Sequence, residues 1–115
     1  MTALVNKGKE ALRDALQTII TQGGCGRDGS PTTITMTELV DEVLKNPSTP
    51  HNGDTVGQAQ FRFRLTTAEG NGNTLREAGL FDASDNLIVR KPHSPIEKNA
   101  TFEMLYIVNV EVKNV

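Results

Sequence analysis

Tryptophan is absent from the 115-residue sequence, and the other aromatic residues are one tyrosine and four phenylalanines. Hydrophobic residues make up 37% of the chain, a limited supply of core for an independent domain. Small domains bury a lower fraction of their surface than large ones and often need partners. The composition therefore predicts one domain, residues 1–115, that associates with other subunits.

Cysteine occurs once, at Cys25, which excludes an internal disulfide framework. No apolar run approaches the roughly 18 residues that indicate a membrane span. The N-terminus becomes charged soon after Leu4 and Val5, unlike a signal peptide, so we expect synthesis in a cytoplasm. The net charge is −2 and the basic residues are scattered, so we expect neither a nucleic-acid nor a membrane partner.

Motifs of catalysis are also missing: there is no phosphate-binding loop, no nucleophile elbow and no His-Glu-x-x-His sequence. The spacing of His51, His93 and Cys25, which fall in three predicted loops, does not suggest a metal site. Asp82 and Asp85 are explained better as turn residues than as an acid/base pair. We therefore predict a protein that is not an enzyme, with no catalytic residue, cofactor or metal.

Residues 1–22 carry the pattern of an amphipathic helix. Apolar side chains, Leu12 and Leu16 among them, recur at spacings of three and four. Asn6 is a suitable N-cap, and Gly23-Gly24 resembles a helix C-cap. Two destinations for the apolar stripe remain open: the domain's own sheet, or a neighbouring subunit as well.

Residues 23–55 are predicted to hold a loop, a short strand and a short helix. The glycine-rich stretch 23–31 has the composition of a loop, and β-branched residues at 32–36 suggest an edge strand. Thr35 and Glu38 have the spacing of a capping box, before apolar residues at helical spacing. Asn46-Pro47 would end this second helix.

Residues 56–115 are predicted to form an antiparallel β-sheet region. Residues 56–67 alternate apolar and polar side chains, and the Asn-Gly pairs in 68–73 predict a hairpin turn. Residues 74–89 predict a second hairpin, and the prolines in 91–95 should interrupt the sheet. In the last strand, 100–112, Leu105 and Ile107 make both faces apolar, so we expect it to be central or covered.

Several motifs occur in an order typical of one family. Residues 4–16 begin Leu-Val-Asn-Lys-Gly-Lys, residues 37–43 read Thr-Glu-Leu-Val-Asp-Glu-Val, and residues 77–83 read Glu-Ala-Gly-Leu-Phe-Asp-Ala. Ile-Glu-Lys follows at 96–98. In this order, the motifs resemble tail, baseplate or tail-fibre-attachment structural proteins of tailed viruses, bacteriophage among them, along nearly the whole chain. Members often carry a Gly-x-Gly strand where this chain has Gly-Gly-Cys-Gly.

The resemblance implies a virion protein with a β-sandwich and a leading helix. The fold class expected is therefore α+β, mainly β, an antiparallel β-sandwich with an N-terminal helix and a second short helix. The implied function is that of a tail-tip, baseplate or fibre-attachment protein. A fibre shaft after the last strand, which would be expected of a receptor-binding fibre, is not seen in this sequence, and this departure favours an adaptor. The implied partners are further copies of the chain, as a trimer or hexamer around the tail axis, and other tail proteins.

A carbohydrate- or host-receptor-binding module of a tail fibre is the alternative function. Binding of sugars usually uses exposed aromatic side chains, and most of the aromatic residues here fall in predicted strands. Gly79 is expected where a neighbouring backbone or ring comes close to the strand. The candidates for packing and for subunit interfaces are Leu12, Leu16, Glu77, Gly79, Leu80, Phe81, Asp82, Leu105 and Ile107.

Overall fold

The computed structural model describes residues 2–113; the ends of the predicted domain, Met1, Asn114 and Val115, lie outside the described residues. One helix precedes seven strands in this part of the chain. The elements are α1 (Asn6–Ile19), β1 (Ile20–Gly26), β2 (Glu42–Pro47), β3 (Thr49–Asn52), β4 (Gln58–Leu65), β5 (Asn73–Asp82), β6 (Leu87–Lys98) and β7 (Met104–Glu111).

The strands form two antiparallel sheets. The first sheet has the order β2-β1-β5-β6 and the second has the order β3-β4-β7. Inward-facing side chains of both sheets share one core, which includes Phe61, Phe63, Leu65, Leu75 and Leu80. The prediction of a mainly β, sandwich-like fold with an N-terminal helix is confirmed. The molecule measures 50 × 26 × 26 Å.

The second helix is a wrong prediction. Within the segment from Thr37 to Leu44, the chain first runs through a loop and then enters β2 at Glu42. Helical spacing and a capping box describe only local preference, whereas β2 gains a ladder of backbone hydrogen bonds with β1. The predicted strand at 32–36 is also absent, because these residues belong to a long loop between β1 and β2.

The first part of the glycine-rich stretch, residues 23–26, belongs to strand β1 rather than to a helix cap and loop, and helix α1 ends at Ile19. The loop prediction is confirmed for residues 27–31. Two neighbours require the glycines of β1. A Cβ atom on Gly23 would lie 2.1 Å from Cδ1 of Phe63, and one on Gly26 would lie 2.5 Å from the carbonyl oxygen of Asp41.

Two further expectations about the sheets are corrected. The turn at 66–72 joins β4 to β5, which lie in different sheets, so it does not close a hairpin. The prolines do not interrupt β6, because this strand is the edge of its sheet and continues through Pro92 and Pro95 with local irregularities. The hairpin of β5 and β6 is confirmed, with Asp85 at a positive φ of 64° in its turn.

Candidate interaction surfaces

The predicted interface candidates divide into an interior group and an exposed group. Glu77, Gly79, Leu80 and Phe81 are buried within this chain, in the central strand β5. Asp82 is half-buried and holds the hairpin turn, where its carboxylate accepts hydrogen bonds from Ser84 and Asn86. The accessible candidates are Leu12, Leu105 and Ile107, with exposed fractions of 45%, 51% and 45%.

Glu77 is the acceptor of a buried ion pair with Arg90. The sequence alone identified Glu77 only as a candidate for packing or for an interface. Oε1 of Glu77 lies 3.1 Å from Nε of Arg90, and both side chains are fully buried. The same carboxylate accepts hydrogen bonds at 3.0–3.1 Å from the backbone N–H groups of Asp28, Val40 and Asp41. Three of these four donors belong to the loop between β1 and β2.

Arg90 completes the attachment of this loop. Its guanidinium donates to the carbonyl oxygens of Ser30 at 2.7 Å and Asp28 at 3.1 Å, and to Oγ1 of Thr32 at 3.1 Å. The loop, residues 27–41, is closed at its base by a bidentate pair between Arg27 and Asp41. We call it the pinned loop; it has the length and closed ends of an Ω-loop.

The tip of the pinned loop presents an apolar side chain. Ile34 is fully exposed, and beside it lies a groove of about 310 Å³ that reaches Met36 and Ile88. No pattern in the sequence predicts this exposed loop tip. The loop is held in place by the pair of Arg90 and Glu77, and both residues are distant from it in the chain. The available hint in the sequence was the charged residue Glu77, which begins the otherwise largely apolar motif of residues 77–83.

Helix α1 turns its apolar stripe away from its own domain. The half-buried side of the helix includes Lys9, Arg13 and Gln17, and Gln17 donates to the carbonyl oxygen of His51 at 3.0 Å. Of the stripe residues Leu12 and Leu16, Leu16 packs against the core and Leu12 is exposed. The helix contains no buried residue.

The exposed part of the stripe has a regular spacing. Val5, Leu12 and Ile19 recur every seven residues and are 69%, 45% and 48% exposed, with the small residues Gly8 and Ala15 between them. A seven-residue apolar repeat with small intervening residues suits close packing against another helix. We call these five residues the helix seam.

Strand β7 contributes the third surface. Tyr106 and Val108 of this strand are buried in the core, whereas Leu105 and Ile107 face outward beside Arg62 and Arg64 of β4. The expectation of a central strand is wrong, because β7 is the edge of its sheet. Helix α1 does not cover its outer face, and cover by a partner subunit stays a prediction.

A groove of about 380 Å³ lies between the edge strands β6 and β7. Tyr106 stacks on Phe63 with 4.7 Å between ring centroids, and its hydroxyl lies 3.0 Å from Nε2 of His93 at this groove. Burial raises the pKa of the Tyr106 hydroxyl. Ile96 and Ile107 give the groove an apolar rim.

The thiol of Cys25 lies in the interior of β1 and is fully buried. Burial raises its pKa to about 12, so it is protonated at neutral pH and is a poor nucleophile. Residues 2–113 contain no group of three His, Cys, Asp or Glu side chains placed to hold a metal ion. Within the same residues, no helix has the length and apolar character needed to cross a bilayer.

The sequence was compared with models of protein families and with curated proteins. No family model matches the chain. No curated protein matches it significantly.

Proposed function

We propose that the chain is a structural protein of a tailed virus, without enzymatic activity, that acts as a tail-tip, baseplate or fibre-attachment adaptor through protein–protein assembly. It would be made in the host cytoplasm and reside in the virion tail. Its partners would be further copies of itself, as a trimer or hexamer around the tail axis, and other tail or fibre proteins.

The helix seam is the observation that carries this proposal. An amphipathic helix normally turns its apolar stripe toward its own core. In α1 the helix seam points outward and Leu16 packs against the core. The polar residues Lys9, Arg13 and Gln17 occupy the side nearer the sheets. Leaving Val5, Leu12 and Ile19 in water has a free-energy cost that docking against another protein would remove.

The pinned loop supports the same function. Loops that a rigid scaffold holds in place are common contact sites in assemblies. The buried pair of Glu77 and Arg90 fixes the loop, and Ile34 at its tip is fully exposed. Repeated weak contacts by several such surfaces would sum through multivalency around a symmetric axis.

Carbohydrate binding has less support from the positions of the aromatic residues. Phe61, Phe63, Phe81 and Tyr106 are buried, and Phe102 is half-buried next to the ammonium group of Lys98. Sugar rings stack on exposed aromatic faces. The described residues offer no such face apart from that of Phe102.

Co-expression with the proteins encoded by neighbouring genes tests the adaptor function. We expect a complex with a tail, baseplate or fibre protein, detected as one peak by size-exclusion chromatography with light scattering. Leu12→Glu should weaken this complex at least about tenfold, because a charge replaces an apolar contact of the seam. Its own thermal unfolding should change little, since Leu12 is half-exposed.

Thr18→Glu is the matched control, because Thr18 is exposed on the same helix but lies outside the seam. It should leave the complex intact. Equal complex formation by both variants would show that the seam is not the docking surface. A chain that joins no tail component but binds glycans as a monomer would overturn the adaptor function in favour of the alternative.

A further inference from the structure

The four sheet edges of the domain differ in how they are protected. Strand β3 is four residues long and contains Pro50, β2 ends at Pro47, and β6 carries Pro92 and Pro95. Short length, proline, lysine and bulges are the devices that keep an edge strand from pairing with another chain. Three of the four edges use at least one of them.

Strand β7 has none of these devices. Its eight residues, Met104–Glu111, include no proline, glycine or lysine. Its pairing with β4 runs without a register shift from Gln58 opposite Glu111 to Leu65 opposite Met104. An edge that is long, regular and partly apolar is a template for a further strand.

The residues whose backbone groups remain unpaired can be identified from the ladder. The N–H of Val112 donates to the carbonyl oxygen of Gly57 at 3.0 Å, so the even-numbered residues of this strand direct their backbone groups toward β4. Leu105, Ile107 and Asn109 therefore direct theirs away from the sheet. We call these three residues the open edge.

The open edge combines two properties in the same residues. Leu105 and Ile107 carry unpaired backbone N–H and C=O groups, and their side chains are also about half exposed. An added strand would satisfy the backbone groups and cover both side chains. It would also lie along the 380 Å³ groove between β6 and β7.

We propose that the open edge pairs with the open edge of a second copy of this chain, antiparallel and across a twofold axis at Tyr106. This inference rests on the self-association included in the proposed function and assigns a surface to it. The two three-stranded sheets would join into one six-stranded sheet with the order β3-β4-β7 followed by the partner's β7-β4-β3.

Self-complementarity argues for a second copy as the occupant. With the axis at Tyr106, Leu105 of each copy lies directly opposite Ile107 of the other. Directly opposed side chains of an antiparallel pair are close enough to contact each other. Glu103 then lies opposite Asn109. Moving the axis to Ile107 would place Glu103 opposite Glu111, a pair of like charges. It would also place Leu105 opposite Asn109 and leave Ile107 opposite its own copy as the apolar pair.

Disulfide trapping tests this register. In a hydrogen-bonded antiparallel pair, opposed Cα atoms are about 5.5 Å apart, which suits a disulfide. Oxidised Leu105→Cys/Ile107→Cys protein should run as a covalent dimer, whereas Asn109→Cys alone should not cross-link. Gln60→Cys, on the outer face of the inner strand β4, is the control that should also remain monomeric on denaturing gels.

Light scattering tests the interface without cross-linking. The unmodified chain should have the mass of two or more copies, and Ile107→Lys should raise the dissociation constant at least about tenfold. Ile34→Lys places the same charge at an apolar side chain that is fully exposed on the pinned loop, and it should not raise the dissociation constant. Amide hydrogens of Leu105, Ile107 and Asn109 should exchange slowly in the oligomer and quickly in the Ile107→Lys variant.

A monomeric chain up to about 100 μM would overturn the proposal and leave tail attachment through the helix seam intact. An oligomer that Ile107→Lys does not weaken would also overturn it, since another surface would then hold the copies together. Protection of the three amides only on addition of a different tail protein would replace the second copy with a heterologous strand. Cross-linking through Asn109→Cys alone would overturn the register.

Discussion

Glycine at position 23 allows the two sheets to approach each other. The ring of Phe63 occupies the volume that a side chain at this position would need, with 2.1 Å from its Cδ1 to the place of a Cβ atom. Gly79 plays a similar part in β5, where a Cβ atom would lie 2.8 Å from Cδ2 of Leu39. The expected close approach at Gly79 is thus made by the side chain of Leu39.

Gly23→Ala is expected to lower the free energy of unfolding by about 1–3 kcal/mol, because the added methyl group displaces a buried ring. Urea-induced unfolding followed by circular dichroism would measure the change. Gly29→Ala is the control, since its Cβ atom would lie no closer than 3.3 Å to Arg76. Equal stabilities of the two variants would contradict the packing argument. Gly79→Val should also impair folding, through its contact with Leu39.

At the scale of elements, local patterns predicted the strands that alternate in polarity. Phe61 and Phe63 of β4 and the turn residues around Asp82 have a pattern that requires no distant partner. The strand β1 and the segment before β2 could not be predicted in this way. Strand β1 requires glycine at positions 23 and 26 because Phe63, Asp41 and Glu77 occupy the space that a side chain would need.

The surfaces show the same division between local and distant information. The apolar stripe of α1 and the apolar outer face of β7 were visible in the sequence. Their exposure depends on how α1 is rotated against the sheets and on the order of strands, which no local spacing determines. The pairing of Glu77 with Arg90 likewise required the β5–β6 register and the path of the pinned loop.

Glu77→Gln should release the pinned loop. The substitution removes the fully buried carboxylate that pairs with Arg90 and leaves the half-buried Asp28, whose Oδ1 lies 3.6 Å from Nη2 of Arg90. Breaking a buried pair typically costs about 3–5 kcal/mol. We expect a lower urea midpoint and thermolysin cleavage within residues 27–41, mapped by mass spectrometry. Arg27→Gln removes two exposed contacts, the pair with Asp41 and the hydrogen bond to Asn73, and should move the midpoint much less. A loop that resists cleavage in Glu77→Gln would show that other contacts hold it.

For the whole molecule, three carboxylates link stability to pH. Hydrogen bonds from the side chain and backbone of Asn86 and the backbone of Ser84 lower the pKa of Asp82. The hydroxyl and backbone N–H of Ser30 lower the pKa of Asp28. The backbone N–H of Thr66 and the side chain of Asn46 lower the pKa of Glu69.

As the pH falls, the domain should therefore begin to lose stability before the pH reaches the pKa values that these carboxylates have in the folded state. The unfolded chain binds protons at higher pH than the folded chain at these sites, so their contribution is complete above about pH 5 and declines below about pH 4. Thermal unfolding between pH 7 and pH 2 would measure this decline. Asp82→Asn should make it shallower, while Asp54→Asn, at an exposed carboxylate, should not. An unchanged profile in Asp82→Asn would remove that residue from the explanation.

The contrast between the proline-bearing edges and the open edge also limits stoichiometry. A subunit with one edge available for strand addition has a valence of one for that kind of contact, so pairing ends at two copies and cannot continue into a fibril. A ring with threefold or sixfold symmetry then needs a second, different contact, and the helix seam is placed to provide it. Pairs joined through β7 would become the building blocks, and a ring assembled from them would contain an even number of chains, which favours the hexamer over the trimer.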